Sequence, residues 1–158
     1  MKNSKLILIL LAISFIGLNA CKQEGSQDIF ESNPKDTQVN IELNTDDKMK
    51  YNLNEITVYD GQNIKLTLNH LGELPVTVMG HNFVLKDNDL SLDRFAHIAM
   101  RSGNTEYVPT ENVLANTSLI GGGESTTIEF TAPAIGTYEY LCTFPGHYTV
   151  MSGKLIVK

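Results

Sequence analysis

Three side chains that can bind a metal stand within ten residues of one another near the carboxyl end of the sequence. They are Cys142, His147 and Met151, and Pro145-Gly146 forms a turn signal between the first two. Because such a turn folds the chain back on itself, the three donors can converge on one point. With four His and five Met in 158 residues, chance puts both at these distances from a given Cys in fewer than about one case in a thousand.

The types of donor indicate copper. A thiolate, an imidazole and a thioether are soft or borderline ligands, and two His with one Cys and a weak axial Met are the ligands of blue-copper electron-transfer centres. Such a centre needs a second histidine, and the best candidate is His81, which follows Met79-Gly80 at the end of an apolar run. We therefore predict a copper site of His81, Cys142, His147 and Met151. These ligands leave no position on the metal open for a substrate. A catalytic metal site, in contrast, keeps such a position open.

The same residues also allow other interpretations of the site. Zinc also binds Cys and His, although a thioether is a poor zinc ligand. Cys142 and His147 can be drawn as the nucleophile and base of a hydrolase, but that mechanism leaves His81 and Met151 without a role. Gly121-Gly122-Gly123 lacks the Lys-Ser/Thr of a phosphate-binding loop, so we expect it to connect two strands.

The two other histidines favour ordinary positions. His70 follows a strand pattern and precedes Leu71-Gly72, which predicts a turn or half-buried position, with a pH-linked role as the alternative. His97 lies in a helical pattern beside Phe95 and is expected at the surface.

The amino-terminal segment has the pattern of an export signal. Lys2 and Lys5 precede an apolar run of thirteen residues from Leu6 to Leu18, which has the length of a signal-peptide core and is short for a membrane span. Ala20-Cys21 then resembles the bacterial lipoprotein signal, in which the cysteine is lipidated; an ordinary signal peptide cleaved near Ala20 is the alternative. We expect a signal peptide at 1–20, a polar lipid-anchored tether at 21–36 and the folded domain at 37–158, in the periplasm or cell envelope.

The net charge and the number of cysteines reduce the number of possible function classes. The chain has a net charge of −6, and residues 1–20 carry two Lys and no acidic residue, so the remainder has a net charge of −8. This balance argues against nucleic acid or an anionic lipid surface as the main partner. Two cysteines, each with another use, favour a metal ligand over a disulfide.

Hydrophobic periodicity predicts an all-β domain. Apolar and polar residues alternate with a period of two in several segments, which is typical of half-buried strands. A helical period appears between Asn88 and Gly103, with Asp87 or Asn88 as the expected cap at its start and Gly103 at its end. About eight strands with one inserted helix predict a two-sheet Greek-key β-sandwich. The predicted strands are Val39–Leu43, Ile56–Val58, Ile64–Leu68, Pro75–Leu85, Thr117–Ile120, Thr126–Thr131, Thr137–Cys142 and Gly153–Lys158.

From about Asp46 to Lys158 the chain resembles the azurins, in the cupredoxin family of type 1 blue copper proteins. The motifs Met79-Gly80-His81-Asn82 and Cys142-Thr143-Phe144-Pro145-Gly146-His147, followed by Met151, carry the resemblance. It implies His81, Cys142 and His147 as equatorial ligands, and Met151 and the backbone oxygen of Gly80 as weak axial ligands. It also implies that Asn82 joins the two ligand segments, that the N–H groups of Asn82 and Phe144 donate to the Cys142 sulfur, and that His70 lies near the metal without binding it.

The resemblance further implies single-electron transfer without enzymatic activity. Electrons would pass through the exposed edge of His147 inside an apolar patch, with a cytochrome or a copper- or haem-containing reductase as the partner class. A copper chaperone or store is the alternative function, whereas a copper nitrite reductase needs a second, histidine-rich copper that His70 and His97 alone do not supply. The chain departs from the azurins in lacking the cysteines of their usual disulfide, in having Phe83 where Trp is frequent, and in its anchor. The residues of the predicted patch are Met49, Leu74, Met79, Phe144, Pro145 and Val150.

Overall fold

Two β-sheets packed face to face account for the strands of residues 29–158, the part of the chain that the computed structural model describes. The predicted signal peptide, Cys21 and the first part of the predicted tether lie outside the described residues. One sheet has six strands in the order β1-β3-β9-β8-β5-β6, and the other has three in the order β2-β4-β7. The predicted two-sheet sandwich is therefore confirmed. The strands are β1 (Ile29–Glu31), β2 (Gln38–Thr45), β3 (Glu55–Val58), β4 (Asn63–His70), β5 (Val84–Lys86), β6 (Val113–Asn116), β7 (Ser125–Thr131), β8 (Gly136–Leu141) and β9 (Ser152–Val157).

Alternation along the strands forms the core between the two sheets. In β2 and β4 every second side chain is buried, as the period of two requires. Each fully buried Leu or Ile stabilises the fold by about 1.5–3 kcal/mol relative to an exposed one. The buried core residues are Val39, Ile41, Leu43, Ile56, Val58, Ile64, Leu66, Leu68, Phe83, Leu85, Ile120, Ala132, Tyr140, Leu155 and Val157.

The segments that carry the candidate ligands meet at one end of the sandwich, which we call the site end. β2 and β4 run parallel and finish there at Thr45 and His70. β8 finishes there at Leu141, which pairs with Ser152 at the start of β9. The starts of β2 and β4 and the last residue of β9, Val157, lie at the opposite end.

The helices differ in detail from the prediction. Among the described residues there are two α-helices, α1 (Val76–Met79) and α2 (Leu92–Ala99), and a short 3₁₀ helix (Gly103–Thr105). α2 confirms the inserted helix, but Ser91 caps it, not Asp87 or Asn88, and it ends before Gly103 because Met100 already forms the cap. None of the helices in this part of the chain is both long and apolar enough to cross a membrane.

Two predicted strands are wrong. The apolar run from Pro75 to Leu85 does not form one strand. Pro75 starts a helical turn, α1, which leaves Val78 57% exposed, and the run becomes a strand only at Val84. The strand predicted at Thr117–Ile120 lies instead at Val113–Asn116, where pairing with β5 supplies its hydrogen bonds.

The first strand also lies in a stretch predicted to be a tether. Ile29, Phe30 and Glu31 pair in parallel with β3, and Phe30 packs against the core. Residues 29–36 therefore belong with the folded domain in this structure, while 21–28 lie outside the described residues.

Candidate metal centre

Two imidazoles and one thiol converge at the site end. The Cys142 Sγ atom is 3.8 Å from His81 Nδ1 and 3.6 Å from His147 Nδ1, and the three ligand atoms all lie within 4.8 Å of one another. The side chains are 0%, 0% and 4% exposed for Cys142, His81 and His147. A metal with three bonds of about 2.0–2.3 Å in a plane holds its N and S ligands about 3.7 Å apart. The two distances from the sulfur therefore fit one metal ion held by all three side chains.

The loop after β8 positions Cys142, His147 and Met151 together. The Cys142 N–H donates to the Met151 carbonyl (3.0 Å), and the Met151 N–H donates to the His147 carbonyl (2.9 Å). Gly146 has a φ of +86°, a left-handed conformation that favours glycine, so the Pro145-Gly146 turn is required for this path. Met151 is fully buried. The three donors predicted from their spacing are thus held by one closed turn.

His81 is fixed by main-chain groups on both sides. Its backbone exchanges two 2.9 Å hydrogen bonds with Ile120, where the two segments form an isolated bridge. Its ring Nε2 lies 3.0 Å from the Asp46 carbonyl, which only accepts, so Nε2 carries the proton and Nδ1 presents its lone pair to Cys142. The tertiary structure therefore selects the tautomer that can bind a metal through Nδ1.

Asn82 and Thr143 join the two ligand segments. The Thr143 N–H donates to Asn82 Oδ1 (2.9 Å), and Asn82 Nδ2 donates to Thr143 Oγ1 (2.8 Å). Both residues are buried, and the Tyr51 hydroxyl donates to the Asn82 carbonyl. Because each segment carries one or more metal-binding side chains, these bonds set the distance between His81 and Cys142.

Gly80 allows the two segments to approach closely. A Cβ atom at this position would lie 2.7 Å from the Val76 carbonyl oxygen and 2.8 Å from the Phe144 ring. The Gly80 carbonyl oxygen lies 3.8 Å from the Cys142 sulfur. Glycine thus permits the contact between this backbone and Phe144, beside the thiol.

Burial sets the protonation of the metal-free site. It raises the pKa of the Cys142 thiol to about 12, although the backbone N–H groups of Asn82 and Phe144, which donate to the sulfur, oppose this rise. Burial lowers the pKa of His81 to about 4, against the effect of its bond to Asp46. Burial also lowers the pKa of His147. The metal-free site at neutral pH is therefore a thiol between two neutral imidazoles.

His70 lies close to the site, but both of its ring nitrogens are occupied by main-chain groups. Nδ1 accepts from the Gly72 N–H (3.0 Å), and Nε2 lies 3.0 Å from the Met79 carbonyl. The ring is only 1% exposed, more buried than predicted, and its centroid lies 4.5 Å from that of His81. His70 thus buttresses His81, whereas His97 is exposed on α2 as predicted.

Sequence reasoning missed the groups that support the ligands. The carbonyl of Asp46, the hydroxyl of Tyr51 and the side chain of Thr143 all contact ligand segments. The position of Thr143 next to Cys142 in the sequence is a local signal that it supports the site. A backbone carbonyl leaves no signature in a sequence, so no residue type at position 46 could indicate the role of the Asp46 carbonyl.

The residues of the predicted apolar patch are exposed or half-exposed at the site end. Leu74 and Val150 are 39% and 59% exposed, whereas His147 itself retains only 4% exposure. Pro145 is exposed, and Met49, Met79 and Phe144 are half-buried. Little of the His147 ring thus reaches the surface.

A β-sandwich that buries two imidazoles and a thiol close enough together to hold one metal ion has the fold and the candidate ligands of a type 1 copper protein. The sequence model of copper binding proteins of the plastocyanin/azurin family matches residues 37–158. Azurin of Alcaligenes faecalis is 35% identical over 123 residues, which cover 73% of this chain and 94% of that protein.

Two further relatives extend this result. Outer membrane protein H.8 of Neisseria gonorrhoeae is 31% identical over 181 aligned positions, covering 96% of this chain and 97% of that protein. The solved structure of auracyanin A, a "blue" copper protein from Chloroflexus aurantiacus, matches with a TM-score of 0.69 and 32% identity over 77% of this chain and 99% of that one. The chain belongs to the plastocyanin/azurin family of copper binding proteins, and the predicted resemblance and copper cofactor are confirmed.

Proposed function

We propose that this protein carries single electrons between redox partners through a type 1 copper site. His81, Cys142 and His147 would be its equatorial ligands, with the Met151 sulfur and the Gly80 carbonyl as weak axial ligands. The observation that carries the proposal is the approach of the Cys142 sulfur to within 3.6–3.8 Å of two imidazole nitrogens, one from a segment 61 residues away. Bound copper supplies a reversible one-electron couple.

The protein contributes rigidity to this function. The His81 ring is held by the Asp46 carbonyl and packed against His70, and Asn82 holds the Cys142 segment through Thr143. Ligands that are fixed by outer hydrogen bonds move little when the charge of a site changes. A site that rearranges little exchanges an electron quickly, which suits a carrier better than an enzyme.

The apolar patch around His147 is the proposed docking surface. Its residues Met49, Leu74, Met79, Phe144, Pro145 and Val150 offer a small contact of the kind that transient redox complexes use, at the weak end of interface sizes. A cytochrome or a copper- or haem-containing reductase is the proposed partner class. The net charge of −8 after residue 20 favours partners with a basic surface and disfavours nucleic acid.

Export and lipid anchoring are part of the same proposal. The signal pattern of residues 1–20 and Cys21 behind Ala20 support it, and the relative named outer membrane protein H.8 aligns with 96% of this chain. We propose that the mature protein begins at Cys21 and is held to a membrane of the bacterial envelope through lipid on this residue.

One visible absorption spectrum tests the electron-carrier proposal. By resemblance to blue copper proteins, the oxidised, copper-loaded protein should show an intense sulfur-to-copper band at about 600 nm. Cys142→Ser should abolish this band, and His97→Gln, at an exposed histidine, should leave it unchanged. A colourless protein, or a band that survives Cys142→Ser, would contradict the proposal. Rapid transfer of copper to an acceptor, without a reversible one-electron potential, would indicate a copper chaperone or store instead.

A further inference from the structure

The strand β1 determines from which end of the sandwich the amino-terminal segment departs. Ile29 pairs with Glu55, the first residue of β3, and Glu31 pairs with Thr57 in parallel. β3 in turn pairs in parallel with β9, which begins at the metal-binding loop, so Glu55 lies level with Lys154. β1 therefore runs from the site end toward the opposite end.

Several contacts fasten β1 in this direction. Phe30 packs against the core, and the Ser32 hydroxyl donates to Gln62 Oε1 (2.7 Å). Glu31 forms a 2.9 Å ion pair with Lys158 at the end of the chain. After β1 the chain is held at the opposite end, where Gln62 Nε2 donates to the carbonyls of residues 33 and 36. The chain before Ile29 consequently enters the domain on the side of the metal site.

This strand lies before the part of the chain that the family model matches, residues 37–158. If the domain began at residue 37, the chain would enter at the opposite end, since the Asn63 N–H donates to the Thr37 carbonyl at the start of β2 and β4. β1 thus transfers the point of attachment from one end of the sandwich to the other.

We propose that β1 orients the lipid-anchored protein with its apolar patch toward the membrane, so that its electron partner is a membrane-bound redox protein. This inference rests on the proposed function and on lipid at Cys21. The eight residues from Cys21 to Asp28 span at most about 29 Å even when fully extended. Because they enter the domain from the side of the site end, level with Lys154 in β9, the copper site stays within reach of proteins in the same membrane, and the short tether limits access to partners far from it.

The test uses the mature, lipidated, copper-loaded protein, residues 21–158, on vesicles of phosphatidylethanolamine and phosphatidylglycerol. The membrane-bound donor is a lipid whose headgroup carries a ruthenium(II) ammine, and dissolved hexaammineruthenium(II) is the soluble donor. Each ruthenium(II) gives one electron and becomes ruthenium(III) as one copper(II) becomes copper(I). Loss of the band at about 600 nm follows the reaction.

Two variants carry the same insertion of twenty Gly and Ser residues at different places. Inserted between Asp28 and Ile29, it lengthens the tether from eight to 28 residues and should slow reduction by the lipid-bound donor about sixfold, since effective concentration falls as the −3/2 power of length. Inserted between Asp36 and Thr37, it leaves β1 paired and the tether unchanged, so the rate should stay within about twofold of the unmodified protein.

A third variant moves the attachment without changing the tether length. Deleting residues 29–36 joins Asp28 to Thr37 at the opposite end, and the rate with the lipid-bound donor should fall at least as far as with the lengthened tether. The dissolved donor should reduce all folded variants at the same rate. If the deletion variant does not fold, the comparison of the two insertion variants is sufficient to test the inference.

The outcomes separate this inference from the function on which it rests. Equal rates with the lipid-bound donor for the unmodified protein and the 28/29 insertion would overturn it, as would an equal loss for the two insertions. Absence of lipid on Cys21 by mass spectrometry would overturn it as well. Failure of the dissolved donor to reduce the unmodified protein would instead refute the electron-carrier proposal.

Discussion

Copper binding should release one proton at neutral pH, and the burial of the site sets this number. A thiol with a pKa of about 12 is fully protonated at pH 7, whereas His81, with a pKa of about 4, is neutral, and the pKa of His147 is also lowered. A cysteine binds metal as the thiolate and a histidine as the neutral ring. Metal binding must therefore displace the Cys142 proton and no other, and copper affinity should rise about tenfold per pH unit near neutrality.

Calorimetric titration of the metal-free protein measures this number directly. Titrations with Cu²⁺ at pH 7, in buffers of different ionisation enthalpy, should give about one proton per copper after correction for buffer binding. Cd²⁺, which does not oxidise a thiol, should give the same count. Cys142→Ser should give close to zero, because a serine hydroxyl has no proton to lose in this range. At pH near 4 the count should rise above one, since His81 then begins to be protonated in the metal-free protein.

Two results would refute the reasoning. A count near zero at pH 7 would mean that the hydrogen bonds to the sulfur already hold a thiolate in the metal-free protein. A count near two would mean that one of the imidazoles is protonated, so that burial does not govern its pKa.

Three further predictions concern the parts that hold the site. Asn82→Ala should lower the free energy of unfolding of the metal-free protein in urea by about 2–3 kcal/mol, because buried groups of Thr143 lose their partners. Gly80→Ala should weaken copper binding in competition with a chelator, since its Cβ would lie 2.7 Å from a backbone oxygen and 2.8 Å from an aromatic ring. Lys158→Met should destabilise the metal-free protein at pH 7 and lose this effect in acid. The pKa of Glu31 is lowered from 4.5, chiefly by its hydrogen bond to Lys158, so the pair contributes above that pH and its contribution disappears as the pH falls through the lowered pKa.

Matched controls accompany these measurements. Asn88→Ala, at an exposed asparagine, should change the free energy of unfolding by less than about 0.5 kcal/mol. Gly136→Ala should leave copper affinity unchanged, because the nearest atoms to its Cβ would be 3.6 Å away. Equal effects in a variant and its control would contradict the assigned roles of Asn82 and Gly80. A Lys158→Met effect that is the same at pH 3 and pH 7 would contradict the role of the ion pair.

Local patterns predicted much of this fold. A period of two identifies β2 and β4 because the pleat of a strand sends successive side chains to opposite faces, and α2 follows from its own period. The segment Val76–Met79 escaped prediction because its β-branched residues favour strands, whereas the close approach of Gly121, elsewhere in the chain, to Val76 accommodates a helical turn. β1 escaped because three residues in a polar stretch carry too short a pattern, and its pairing depends on β3.

The amino-acid sequence by itself determined the chemistry of the ligands, since the types of donor and the short spacing of Cys142, His147 and Met151 are properties of one loop. Only the tertiary structure decided which ring nitrogens of His81 and His70 are free to bind a metal, because this depends on the groups that each ring contacts. Both rings lie at the site end, but main-chain groups occupy both nitrogens of His70 and leave Nδ1 of His81 facing the thiol. Hydrogen bonds to backbone groups far away in the chain depend on how the sheets pack, and no local pattern records them.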